Sequence, residues 1–332
     1  MRRGKRVVGL LAMAVSVMLF SACGQAPVQN GSTGTDKVYK VGVTQIQDHP
    51  SLDNCREGFI QGLASEGFKE GENLQIDFKA AQGDMTRATQ IAQNFANEKK
   101  DLVCGIATPS AQALYAACME KGIPVIFNAV SDPVEAKLAT SKTEAMKGIS
   151  GISDLLPVED QLKLIREILP DAKKIGILYT TSEANSVSTL RIYKELASQY
   201  GFEIVEKGIG KQAEVPQAAD VLVKEVDCIS NLTDNTVVAA LGVLLEKANA
   251  ANIPVFGSEE EQVKNGCLAS AGLDYVELGK QAGIMAAKVL RGTDVSTLPY
   301  ETLKESKITT NKEVAGRFSI TLSSELLEKS VN

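Results

Sequence analysis

The chain of 332 residues has one histidine, His49, no tryptophan, and no apolar run long enough to cross a bilayer. The lone histidine leaves a histidine-based catalytic triad without support. With only one histidine and no CxxC pair among six cysteines, no zinc pattern is present. Neither HExxH, a GxxxxGK[ST] phosphate loop nor a GxSxG elbow occurs. The one partial dinucleotide match, Gly208-Ile209-Gly210-Lys211-Gln212-Ala213, follows a segment carrying Glu203, Glu206 and Lys207, and Pro216 interrupts it soon after. That strand is unlike the all-apolar first strand such a loop requires. Any stacking on a bound ring would fall to tyrosine or phenylalanine.

The front of the chain is a separate piece. Arg2, Arg3, Lys5 and Arg6 precede an apolar stretch from Val7 to Phe20, shorter than the roughly 20 residues a membrane span needs. With Ser21 and Ala22 before Cys23 this reads as an export leader over residues 1–22. Leu19-Phe20-Ser21-Ala22-Cys23 resembles a bacterial lipoprotein signal, with Phe20 where leucine is usual, and makes Cys23 the expected lipidation site. Residues 23–37, polar and rich in Gly, Ser and Thr, read as a tether from lipid to folded body. Of the 35 basic residues four lie in the leader, leaving 31 against 41 acidic ones and a net charge of −10. Such a surface argues against nucleic acid as a partner. The remaining five cysteines, an odd number in apolar segments, read as small buried hydrophobes.

From Tyr39 onward short apolar runs alternate with amphipathic ones. Strands are expected at 39–45, 74–81, 102–107, 124–130 and 148–153, with helices at 51–66, 84–99, 109–121 and a short one near 134–140. The alternation then begins again. Helices are expected at 157–169, 185–200, 214–225, 235–251 and 275–290, with strands at 173–179, 202–208, 226–232, 253–256 and 267–272. Repeated β-α-β order predicts an α/β protein of two doubly wound parallel-sheet lobes.

Parallel sheets bind ligands beyond the carboxyl ends of their strands, and nearly every strand end here delivers a polar side chain. In the first half these are Gln45, Asp84, Thr108, Ser110, Asn128 and Asp132; in the second, Glu183, Asn185, Ser186, Thr233, Asp234, Asn235 and Asp274. Ser110, Asp84 and Asp234 are equally well explained as helix N-caps, and His49 as a capping or surface residue before Pro50. Convergence in both halves favours a cleft between lobes.

Several long stretches, among them TQIQDHPSLDNCREGFIQGL, AQGDMTRATQIAQNF, IATPSAQAL, NAVSDPVEAKL, TSEANSV, TDNTVVAAL and GLDYVELGKQAGIMAAKVL, closely resemble the tryptophan/tyrosine-type substrate-binding lipoproteins of bacterial ABC transporters. The resemblance implies a type I periplasmic-binding fold with a three-strand hinge, lobe 1 being residues 38–153 plus 273–300 and lobe 2 residues 154–272 plus 301–332. It implies a monomer on the extracytoplasmic face, held to the membrane by lipid, which closes on an amino-acid ligand, favoured as aromatic, and docks on a permease with its ATPase. A ligand-sensing lipoprotein that signals to a membrane receptor is the alternative. No catalytic residue, cofactor or metal is expected. For an amino acid, Thr108, Ser110, Asn185 and Ser186 suit the α-carboxylate. Asp274, and after it Asp132 or Glu183, suits the α-ammonium.

Overall fold

The computed structural model describes residues 37–303 and 305–331. Residues 1–36, and with them the leader, Cys23 and nearly all of the tether, lie outside the described residues. Residues from Lys37 onward form one compact unit.

The first half runs β1 (Tyr39–Gln45), α1 (Pro50–Ser65), β2 (Leu74–Ala80), α2 (Met85–Asn97), β3 (Leu102–Ile106), α3 (Thr108–Cys118), β4 (Val125–Asn128) and β5 (Ile149–Ser153). The second runs α4 (Val158–Ile168), β6 (Lys174–Thr180), α5 (Ala184–Leu196), β7 (Glu203–Ile209), α6 (Val215–Leu222), β8 (Cys228–Ser230), α7 (Asn235–Val238), α8 (Leu241–Ala250), β9 (Val255–Phe256), α9 (Glu260–Lys264) and β10 (Ala269–Gly272). Then come α10 (Tyr275–Leu290), β11 (Glu301–Thr302), β12 (Lys307–Thr310), α11 (Lys312–Arg317), α12 (Ser324–Lys329) and β13 (Ser330–Val331).

The first sheet has the order β2-β1-β3-β4-β5-β11, with every pair parallel. β3, β4 and β5 are buried along their whole length, as strands covered on both faces must be. The second sheet has the order β7-β6-β8-β9, also parallel. Leu268 N donates to Val255 O at 2.7 Å and Gly257 N to Ala269 O at 2.9 Å, tying β10 to β9. β12 then pairs antiparallel with β10, and β13 parallel with β12. The first lobe has one core, around Val41, Phe59, Phe95, Ile106 and Phe127. In the second lobe Leu162, Ile175 and Tyr193 belong to one buried cluster and Leu222, Ile229 and Leu244 to another.

Three of the differences from the sequence expectations stand out. Residues near 134–140 form turns, not a helix. Asp132 accepts from Val134 N and Glu135 N at 3.2 and 3.0 Å, and Lys137 adopts φ +60°, which no right-handed helix accommodates. The helix expected over 235–251 is broken at Ala239 and Ala240 into α7 and α8. The elements beyond Leu290 are too short to carry a hydrophobic period, and their pairing is with distant strands.

α10 leaves the second sheet and docks on α1 of the first lobe through glycine on both helices. A Cβ at Gly58 would sit 2.0 Å from Val276 O, at Gly62 2.2 Å from Lys280 O, at Gly279 2.2 Å from Cys55 O and at Gly283 2.2 Å from Phe59 O. The two backbones are therefore in direct contact, with no room for any side chain between them. Because the obstructing atoms are backbone, a methyl group there must separate the helices. Gly58→Ala is expected to lower the thermal midpoint by about 5–10 °C. Gly242→Ala, where nothing lies within 4 Å of the added carbon, should leave it unchanged or slightly raised. Calorimetric melting of both variants checks this, and equal midpoints would contradict tight α1–α10 packing.

Candidate functional site

In the first sheet the order reverses between β1 and β3, and in the second between β6 and β8. Crevices form at such switch points because adjacent connections leave in opposite directions. The loops there supply His49 and Ser51 after β1, Thr108 after β3, Asn185 after β6, and Thr233 and Asn235 after β8. All six line one narrow cavity with about 20 Å³ of water-accessible volume in this closed arrangement. Leu52, Ala107, Ala129, Ser131, Asp154 and Tyr275 complete the wall from the first lobe and the crossing after β5, and Val238, Glu259 and Gln262 from the second.

Two of the lining positions are held in uncommon backbone conformations. Ala107 has φ +71° and Ala129 φ +57°, at the ends of adjacent strands. Ala107 N donates to Asn128 O at 2.9 Å, which ties the two turns together. Such conformations cost on the order of 1–3 kcal/mol and persist where the surroundings impose them. Here Ala107 begins α3 at the cavity wall. Its first-turn N–H groups lack intrahelical acceptors and carry the positive end of the helix dipole. Thr108 Oγ1 is buried with no hydrogen-bond partner, as is Asn185 Oδ1, and both ring nitrogens of His49 are buried with only the Asn235 side chain near them.

The cavity also holds two buried carboxyl groups, each 2% exposed. Asp154 accepts from Ser131 Oγ at 3.0 Å and from Tyr275 Oη at 2.6 Å. Burial raises its pKa against the opposing effect of those hydroxyls. Glu259 accepts from Ser51 Oγ at 2.9 Å, across the interface between lobes, and from Glu261 N and Gln262 N at 2.7 and 2.9 Å. Burial pushes it up to about 7 in spite of those three donors. No lysine or arginine is among the described residues lining the cavity. Its chemistry is that of two acids, one helix N-terminus and a set of neutral donors and acceptors.

Of the residues singled out from sequence, Thr108, Asn185, Thr233 and Asn235 line this cavity. The others have different work. Asp274 caps α10, accepting from Val276 N and Glu277 N at 2.9 and 3.0 Å, and pairs with Lys307 Nζ at 2.6 Å. It is not among the residues that line this cavity. Asp132 caps its own turn and lies 3.8 Å from Arg191. Glu183 is occupied by Asn235 N, Asn235 Nδ2, Thr236 N and Thr236 Oγ1 at 2.6–3.0 Å. Asp234 caps α7 at Val237 N and accepts from Thr180 and Ser186, and burial, with Glu183 nearby, raises it to about 6. Ser186 is thereby committed to Asp234. Gln45 donates to Gln47 O, Asp48 and Asp53 and accepts from Arg56, which shapes the loop before α1. Asp84 is an exposed N-cap of α2. Asn128 donates to Cys55 O at 3.3 Å, and Ser110 is buried behind the α3 turn. Asp154, Glu259 and Gln262 went unrecognised in the sequence. Asp154 directly follows β5 and Glu259 closely follows β9, so strand-end position was the available signal.

A chain that encloses a small cavity at the facing carboxyl ends of two doubly wound sheets is a two-lobed binding protein. Residues 40–332 match the family described as ABC transporter substrate binding protein, and the chain belongs to it. It is 40% identical over 319 residues, 94% of this chain and 92% of the relative, to a tyrosine-binding protein of Clostridioides difficile strain R20291. Among solved structures it is similar to an ABC domain from Streptococcus pneumoniae in complex with L-Trp. There the TM-score is 0.86 at 31% identity, over 89% of this chain and 99% of that one. It is also similar to a ligand-free, open substrate-binding protein with adhesive properties from Clostridium difficile. That match has a TM-score of 0.68 at 40% identity, over 88% and 98% of the two chains. The chain superposes better on the L-Trp complex than on the open structure, although its identity to the latter is higher. The family consists of solute-binding proteins, which hold their ligands without transforming them.

The raised Glu259 has a thermodynamic signature. The native state keeps a proton on this group up to about pH 7, whereas an ordinary glutamate loses it near 4.5. Its contribution is thus present in full below the unfolded pKa and declines as pH rises through 7, by on the order of 3 kcal/mol. In the ligand-free protein, Glu259→Gln should gain stability relative to wild type between pH 5 and pH 8. Chemical denaturation at both pH values checks this, and a pH-independent difference would count against it.

Proposed function

We propose that this protein binds an aromatic amino acid in the interlobe cavity and delivers it to an ABC permease as the receptor of an importer. The observation that carries the reading is the cavity's polarity. The N-terminus of α3 with its unpartnered Thr108 hydroxyl suits an α-carboxylate, and buried acids without a resident cation suit an α-ammonium. Asp154 is the better ammonium partner. A carboxylate offers about four lone-pair sites; Asp154 has two donors on them, while Glu259 has three. Tyr275, Leu52, Val238 and the two alanines supply the apolar wall for a side chain. A tyrosine-binding relative and a tryptophan-bound neighbour support the same ligand class.

The closing bodies are residues 38–153 with 273–302 and residues 154–272 with 303–332; the expected boundary at 300 moves past β11, whose pairing with β5 supports a place in the first body. Closure sets Ser51 against Glu259 and presents a changed face to the permease. Residues 1–22 direct export, Cys23 carries lipid, and the monomeric receptor remains on the extracytoplasmic side of the membrane.

In a thermal-shift screen, L-tyrosine or L-tryptophan should raise the midpoint, by about 2.7 kcal/mol of added stability at a hundredfold excess over Kd. Nucleosides and sugars should not. Asp154→Asn should weaken calorimetric affinity by roughly ten- to a hundredfold while the fold survives; unaltered affinity would remove Asp154 from this role. Radiolabelled palmitate should enter the wild-type chain and not Cys23→Ala, and equal labelling would exclude Cys23 as the anchor.

A further inference from the structure

His49 is the chain's only histidine and is the one aromatic heterocycle in the cavity wall. Both ring nitrogens are buried; the Asn235 side chain approaches the ring, and neither nitrogen is held in a hydrogen bond of full geometry. Buried polar nitrogens without partners are uncommon and point to a ligand when they face a cavity. Burial pushes the ring down to about 4, against the opposing influence of Asp53, Asn235 and Asp48. The imidazole is therefore neutral at physiological pH, with one N–H donor and one acceptor.

Position decides what His49 can touch. Along the sheet edge the order is β5, β4, β3, β1. Asp154 follows β5 and the His49 loop follows β1, three strand spacings away, or roughly 14 Å at the sheet. The N-terminus of α3 lies between them, after β3. A ligand anchored by its ammonium at Asp154 and its carboxylate at α3 has its side chain left to reach toward β1. His49, Ser51, Val238, Glu259 and Gln262 also line the outer groove on the other side of this wall, so His49 marks the cavity's outer end.

We propose that His49 recognises the polar atom at the far end of the ligand's aromatic side chain, a phenol hydroxyl or an indole N–H. It thereby selects tyrosine and tryptophan against phenylalanine. The inference rests on the aromatic amino-acid reading given above and adds a specificity residue to it. A neutral imidazole can accept from either group, and a ligand lacking that group leaves the cavity-facing nitrogen buried without a partner. The penalty for such an unmade bond corresponds to roughly ten- to a hundredfold in affinity.

The test is calorimetric titration of L-tyrosine, L-tryptophan and L-phenylalanine into the full chain, as wild type, His49→Leu and His49→Ala. Wild type should bind tyrosine or tryptophan at least about tenfold more tightly than phenylalanine. In both variants that preference should fall to within about threefold, with phenylalanine affinity retained or improved. Retained phenylalanine binding shows that the variant is folded and separates a lost hydrogen bond from a damaged site. If His49→Leu fails to fold, the same ratio is read from His49→Ala. An unchanged tyrosine-to-phenylalanine ratio in the variants, or no preference in wild type, overturns the role of His49 while leaving the amino-acid reading in place. Wild type silent to all three ligands overturns that reading, and His49's role with it.

Discussion

The backbone contact between α1 and α10 is the constraint on which the site depends. Gly58 and Gly62 face Gly279 and Gly283, and any side chain at these positions would collide with a carbonyl group. α10 returns from the second sheet to the first lobe, so this contact is also what locks a distant segment onto the fold. Its consequence lies in the first turns. Ser51 and Leu52 begin α1, and Tyr275 begins α10, and all three line the cavity. Tyr275 reaches Asp154 and Ser51 reaches Glu259, so the packing of two helices positions the donors on both buried acids.

Those acids give the cavity its character. A carboxylate away from water is costly unless donors or a cation compensate it. Here hydroxyls and backbone N–H groups compensate in part, and both pKa values stay raised. The site is therefore complementary to a group that brings positive charge. By contrast Glu183 and Asp234, equally buried, spend their acceptor capacity on capping α7 and on the loop after β6. Acids of one type thus differ in the number of donors each has, and the two with fewest, Asp154 and Glu259, line the cavity.

Most of the architecture was legible because its signals are local. Strand runs such as 39–45 and helices such as 275–290 carry periods of two and 3.6 residues that depend on burial of one face or both. The short turns near 134–140, the break between α7 and α8, and the elements beyond Leu290 were not legible. The form of the turns depends on a left-handed Lys137 and that of the last elements on pairing with strands far away in sequence, while the break at Ala239 and Ala240 carries no local sequence signal. The site was partly legible. Strand-end position identified Thr108, Asn185, Thr233 and Asn235 but equally suggested Asp274, Asp132 and Glu183, since a residue that caps a helix and one that faces a ligand have the same local sequence.

By itself the sequence determined the alternation of strands and helices, the two lobes, the acidic balance and the absence of histidine- or cysteine-based chemistry. These follow from composition and from patterns confined to a few turns of chain. Only the tertiary structure decided which carboxyl groups lack enough donors, which hydroxyl is left without a partner, and that these groups share one cavity with a buried imidazole. The physical reason is that hydrogen-bond satisfaction is a property of neighbours in space. Asp154 and Tyr275, or Ser51 and Glu259, are more than a hundred residues apart, and only the folded pair of lobes brings them together.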